Sequence, residues 1–259
     1  NYRALLFFYR PTNMKRKLKL LLKHCIKKNN IKNMEKEYFN IHLLKGVILA
    51  LIGGFIEMYS LMIRGAFSGM QTGNLIYTFS NLFENNYMGA LAHFLFVITF
   101  IIGIIITEII YQISDMTKIK YEYFIYSIGL IILIFVIFIP IDSEKYGTLN
   151  IVAGCLLSFF GALQSHAFTN INKHALSTTM MTAMMKLATS SLVKYIKDKN
   201  KENLLVCLEI LSIILFFIFG FIVFYVLYKY VDIIYLNYSL FIPISLVLAL
   251  FCIAFFKKS

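Results

Sequence analysis

The sequence predicts an all-α, polytopic membrane protein of about six transmembrane helices, arranged as two inverted three-helix repeats. Three observations carry that expectation. Hydrophobic residues make up 59% of the 259 residues and mean hydropathy is +0.75, which excludes an ordinary soluble domain. The apolar residues fall in long runs: 123–141, 146–172, 210–228 and 233–256 contain no Asp, Glu, Lys or Arg, and about 20 residues of helix cross a core of roughly 30 Å. One polar motif is also written twice. Gly54-Phe55-Ile56-Glu57, followed by Gln71-Thr72-Gly73-Asn74, is answered by Gly161-Ala162-Leu163-Gln164 and then Met181-Thr182-Ala183-Met184.

Residues 1–44 form a basic amino-terminal segment. Eight of the 25 basic residues lie between Lys15 and Lys32, with no acidic residue among them. The chain opens on Asn1, and Met14 and Met34 are alternative starts, so whether this segment is native stays open. Leu18 to Ile26 alternates apolar and basic residues, as a helix lying on a membrane surface does. No adequate apolar stretch or small-residue cleavage site follows, so a signal peptide is not expected. The net charge of +12 comes without a recognition module, and lysines beside spans set topology and touch anionic lipid; nucleic acid is not an expected partner.

Six spans follow, at about 46–63, 89–111, 123–141, 147–168, 206–228 and 235–256. They divide into a first repeat over 45–141 and a second over 142–259. With the amino end inside, Lys118, Lys120, Lys173, Lys186, Lys194, Lys197, Lys199 and Lys201 fall in cytoplasmic connections, with Lys257 and Lys258 in the tail. Only Arg64, Lys145 and Lys229 fall outside. This asymmetry predicts a multi-pass cell-membrane protein, bacterial or organellar, with both ends cytoplasmic. Residues 65–83 and 175–192 are too polar to face lipid and too apolar for a plain loop. Counting them as two more spans would put Lys118 and Lys120 outside, so re-entrant or interfacial elements are favoured.

Each half thus reads as a span ending in Gly-x-x-Glu or Gly-x-x-Gln, a polar segment, and two further spans. An odd number of spans per half inverts the second copy, and in such folds the broken pieces meet near the bilayer midplane. The candidate solute or ion pathway is Glu57, Thr72, Gly73, Asn74, Gln164 and Thr182. Glu57 is costly in lipid unless something pairs with it, so it reads either as a proton- or solute-coupling group or as a structural hydrogen-bonding partner. Gln164 is its mate, or an interhelical hydrogen bond. Gly54 and Gly161 lie one turn earlier on the same faces and admit a close backbone. Thr72-Gly73-Asn74 reads as a break that caps a helix over 75–83, and Thr182 starts the equivalent helix over 183–195. Glu108, Glu209, His93 and His166 read as interfacial.

The stretch from Gly53 to Asn74, with Gly-x-x-acid and then Thr-Gly-Asn-Leu, resembles the signature of the YoaK family of bacterial membrane proteins. Gly161-x-x-Gln164 and the Thr-rich run through Thr182 resemble that family's second signature. The likeness covers about residues 45–256. It departs at Glu57, where the family usually has Asp, and at Thr182-Ala183, where it usually has Thr-Gly. The family has no assigned function, so the resemblance implies the fold and little chemistry.

No nucleophile elbow, phosphate loop or paired carboxylates with metal spacing appears. The four cysteines, Cys25, Cys155, Cys207 and Cys252, are scattered singly and suggest neither metal nor redox pair. No catalytic set, metal or cofactor is expected. The partners expected are the lipid bilayer and a small solute or proton. The function expected is transport or channelling of a small solute or ion. The alternatives are a membrane scaffold or accessory subunit and, with less support, an intramembrane lipid-modifying enzyme.

Overall fold

A computed structural model describes residues 41–167, 170–171, 174–175 and 181–256. The chain divides into two units, 1–43 and 44–259. The amphipathic reading of 18–26 lies outside the described residues, as do Lys173 and residues 176–180 of the second polar segment. The membrane bundle is the second unit.

The helices are α1 (Ile41–Arg64), α2 (Gln71–Phe83), α3 (Tyr87–Thr117), α4 (Tyr121–Phe138), α5 (Thr148–Ala167), α6 (Met181–Asp198), α7 (Lys201–Tyr230) and α8 (Phe241–Phe256), with a 3₁₀ segment over Ile233–Leu240 before α8. A two-residue antiparallel ladder pairs Asn170 with Ala175 and Ile171 with His174. Among the described residues, six helices are long and apolar enough to cross a membrane: Ile41–Arg64, Tyr87–Thr117, Tyr121–Phe138, Thr148–Ser165, Lys201–Tyr230 and Tyr235–Phe255. They coincide with the six spans expected. Their outer faces carry large exposed apolar side chains such as Phe135, Leu215 and Phe219, a surface that only lipid solvates well.

Local chemistry sets the helix ends. Asn86 caps α3 by accepting from the Gly89 amide at 3.1 Å, and Asn200 caps α7 by accepting from Glu202 at 2.9 Å. Helix α4 stops at Phe138 because Ile139 precedes Pro140 and takes an extended conformation, as residues before proline do.

Hydrogen bonds fix the helix directions. Arg64 at the end of α1 meets Asn150 at the start of α5, whereas Leu49 near the start of α1 meets Gln164 near the end of α5, so these helices run antiparallel. Lys45 pairs with Glu122 at 2.8 Å, joining the starts of α1 and α4, and Arg64 donates to the carbonyls of Ile139 and Pro140 beyond the end of α4. Helices α1 and α4 are therefore parallel. One end of the bundle carries Lys45 and Glu122. The other gathers around Arg64.

Helix α1 is the axis. Its apolar window is 67% buried, against 33% for α3, α7 and the last span. Two close crossings build the core. A Cβ on Gly54 would strike the Phe217 carbonyl of α7, and one on Gly220 of α7 would strike the Leu51 carbonyl of α1. Likewise Gly103 of α3 abuts Ala162 and the Phe159 carbonyl of α5. Small residues at these crossings let backbones approach where no solvophobic force drives helices together.

The first polar segment folds back into the bundle. After Gly65, whose φ of +68° favours glycine, the chain reverses direction. Ser158 of α5 donates to the Phe67 carbonyl at 3.3 Å, and Gly161 leaves room for the Ser68 carbonyl. Helix α2 starts there and returns to the Arg64 end, where it turns into α3. Its 13 residues rise about 20 Å, short of a crossing. Helix α6 carries Lys186, Lys194 and Lys197, is not one of the six spans, and packs along α7 through Met184, Ala188 and Ser191. Met70 before α2 and Met181 opening α6 both pack on the buried cluster that includes Ala50, Cys207 and Phe217. Helix α2 thus begins inside the bundle, while α6 touches the same cluster at its first residue, with Thr182 and Ala183 exposed.

Candidate functional site

Glu57 is 2% exposed on α1, about 10 Å of helix before Arg64. Its carboxyl accepts from Ser68 Oγ at 2.5 Å, the Gly69 amide at 2.8 Å and the Met70 amide at 3.3 Å. These groups stand immediately before Gln71, at the start of α2. Met70, the cap residue, supplies no side-chain bond. Glu57 therefore caps α2 from thirteen residues upstream. The amides and the dipole at a helix start make a seat for an anion, and here the chain fills that seat with its own carboxylate.

Asn74 is fully buried and uses its whole carboxamide. Nδ2 donates to the Phe67 carbonyl and to Gln71 Oε1, both at 2.8 Å, while Oδ1 accepts from the Phe67 amide at 3.1 Å. His93 of α3, 1% exposed, places Nδ1 3.1 Å from the same Oδ1. That oxygen can only accept, so Nδ1 carries the proton and Nε2 accepts from the Tyr146 hydroxyl at 3.3 Å. Gln71 Nε2 donates to the Ser68 carbonyl at 3.1 Å. A chain of donors consequently runs from Tyr146 through His93, Asn74, Gln71 and the Ser68–Gly69 peptide, whose amide donates to Glu57. Every link points toward the carboxylate, and aligned bonds of this kind polarise one another.

Gln164 is also buried, but it donates to the Leu49 carbonyl at 2.5 Å, about 12 Å of helix from Glu57. It borders a cavity of about 20 Å³, room for one water, beside Leu49, Tyr126, Gly129 and Leu163. Glu57, Asn74 and Thr182 do not line that cavity. The paired acid and amide face the interior at separate points of the α1–α5 contact.

Three expected positions differ in the structure. Thr72 is exposed on α2. Gly73 is helical, and its missing side chain makes room for the Phe67 ring, 2.7 Å from where a Cβ would stand. The break expected at Thr72-Gly73-Asn74 lies earlier, at 65–70, because Glu57 caps α2 from a distance that local sequence does not reveal. Thr182 is exposed on α6, whose buried stripe is Met184, Ala188 and Ser191, so it does not join Glu57 and Asn74.

His93, read as interfacial, is enclosed by protein, 1% exposed, toward the Arg64 end. One residue was given the wrong setting by the sequence: Arg64 is not a loop charge, for it is 0% exposed. Its guanidinium donates to the Pro140 and Ile139 carbonyls at 2.8 Å, to Asn237 at 2.9 Å, to Asn150 at 3.1 Å and to the Tyr59 hydroxyl at 3.2 Å. One side chain so ties together α1, the α4–α5 connection, α5 and the 3₁₀ segment. The sequence signal for this hub is faint: Asn237 is the lone carboxamide of the run 233–256, and Asn150 is one of four in 146–172.

A family model described as "Protein of unknown function (DUF1275)" matches residues 45–253. The chain belongs to the DUF1275 family. No curated protein and no solved structure matches the chain. In this DUF1275 protein the match contains Glu57, its hydrogen-bond chain, the Arg64 hub and most of α8. The basic segment before Lys45 stands outside it.

Proposed function

We propose that this DUF1275 protein moves a small solute or ion across the membrane, with Glu57 as a latch on the re-entrant segment, and that it catalyses no reaction. One observation carries the reading: a buried carboxylate at the start of a helix that begins inside the bundle, joined through the Ser68–Gly69 peptide by successive donors to Tyr146 near the Arg64 end. A proton or cation reaching Glu57 changes what the oxygens can accept. Ser68, Gly69 and Met70 then lose part of their hold, and the 65–70 segment is free to move. The cytoplasmic face is the Lys45 end, on the lysine distribution.

The repeat enters the same proposal. The α1–α7 crossing at Gly54 and Gly220 has its counterpart in the α5–α3 crossing at Ala162 and Gly103. Each joins the first helix of one half to the later span of the other, as an in-plane two-fold would require.

Reconstituted in liposomes and screened against small solutes and protons, wild type is expected to support flux and Glu57→Gln to abolish it while remaining monodisperse. A mutant that carries solute as wild type does would overturn the latch. A non-transporting scaffold is the second reading, favoured by the saturation of Asn74, which leaves no donor or acceptor idle. On that reading Glu57→Gln harms only the fold.

A further inference from the structure

The connection between α4 and α5 brings Lys145 to the mouth of the hydrogen-bond chain. Its stem lies against Gly65, where a Cβ would come within 3.2 Å of Cγ and Cε. Its ammonium stands 5.2 Å from the Tyr146 ring centre and 5.9 Å from that of Tyr77. Among the described residues no carboxylate lies within ion-pair distance of it. Ring faces hold this cation instead, at the range where they attract one.

The rings form a continuous wall. Tyr77 stacks on His93 at 5.0 Å and on Phe67 at 6.0 Å, and Tyr146 meets His93 edge-on at 5.6 Å. Behind the wall runs the donor chain that ends on Glu57. A cation-binding face therefore stands at the outer end of a path whose inner end is an acid.

We propose that the box formed by Tyr77 and Tyr146 receives a small alkylammonium solute, and that Lys145 occupies it as a tethered stand-in which the solute displaces. The proposal rests on the transport reading for what happens after entry, while binding can be measured without it. Lysine's own side chain is a butylammonium, so the box already holds the chemistry assigned to its ligand. A tethered competitor has an effective concentration in the millimolar range, so wild type should bind free amine weakly.

The test uses the full chain in phosphatidylcholine nanodiscs titrated calorimetrically with n-butylammonium, with n-butanol and butyrate as neutral and anionic controls. Lys145→Met should bind butylammonium about tenfold more tightly than wild type, and Lys145→Gln should do the same. Adding Tyr77→Leu and Tyr146→Leu should remove that binding, whereas Tyr146→Phe, which keeps the ring, should retain it. Equal affinity in wild type and both Lys145 variants, or butanol binding as well as the amine, overturns the box. Saturable binding of butylammonium without flux of any solute sinks the transport reading and leaves the box standing. Flux of another solute with no gain in Lys145→Met does the reverse.

Discussion

Glu57→Gln changes one atom type and should loosen one segment. In wild type, Oε2 accepts from Ser68 Oγ and the Gly69 amide, and Oε1 accepts from the Met70 amide. A glutamine placed with its oxygen at the Oε2 position keeps two acceptances but loses charge assistance, which roughly halves each bond. Its NH₂ then faces the Met70 N–H, donor against donor. A buried amide left unsatisfied costs about 1–3 kcal/mol. With the weakened bonds, the hold on 68–70 falls by about 2–4 kcal/mol. The loss is local, because Gly65 and the α2 start can open without breaking the α1–α7 crossing. Hydrogen exchange in nanodiscs reads it directly: the Gly69 and Met70 amides should exchange about 30- to 1000-fold faster, with protection in the middle of α1 unchanged. Unaltered protection across 67–71 in the mutant would refute the latch.

Other perturbations act on the same contacts. Gly54→Ala and Gly220→Ala should each destabilise by about 1–3 kcal/mol or more through overpacking, measured by reversible unfolding in mixed micelles, since both side chains would land on backbone. Arg64→Met should be among the most damaging substitutions, about 3–5 kcal/mol, because it removes five bonds from a charged donor at once and leaves the Pro140 carbonyl without its guanidinium partner, although Ile139, Asn150 and Asn237 each keep a second donor. Arg64→Lys, with three donors for those partners, should fall between; equal yield and melting temperature for all three proteins would contradict the hub. Tyr146→Phe should shift stability by less than about 1 kcal/mol yet lower flux in liposomes, since it cuts the donor chain at its outer link. Ser68→Ala removes a charge-assisted bond and should cost about 1.5–3 kcal/mol, read by the same exchange experiment at Gly69.

Much of the fold is legible in the sequence, and the reason differs by residue. The six spans are legible because a hydrocarbon solvent acts on every side chain of a run alike, so residues 123–141 announce a crossing without reference to any other part of the chain. Glu57 and Gln164 stand out for the same reason, as polar groups where lipid tolerates none unpaired. Gly54 stands out because glycine inside an apolar run has a packing use.

Partners are not legible. A hydrogen bond is a property of two residues, and those in the seam lie far apart in sequence: 115 positions separate Gln164 from Leu49 and 173 separate Arg64 from Asn237. Only the crossing of folded helices brings them together. So the tertiary structure decided that Glu57 caps α2, that Arg64 and His93 are enclosed by protein, and that Thr72 and Thr182 face outward. The sequence by itself determined which helices exist and where polarity had to be reconciled with lipid. Which groups reconcile it depends on helix rotation and depth, and these are set by close packing at a few glycines rather than by any local run of residues.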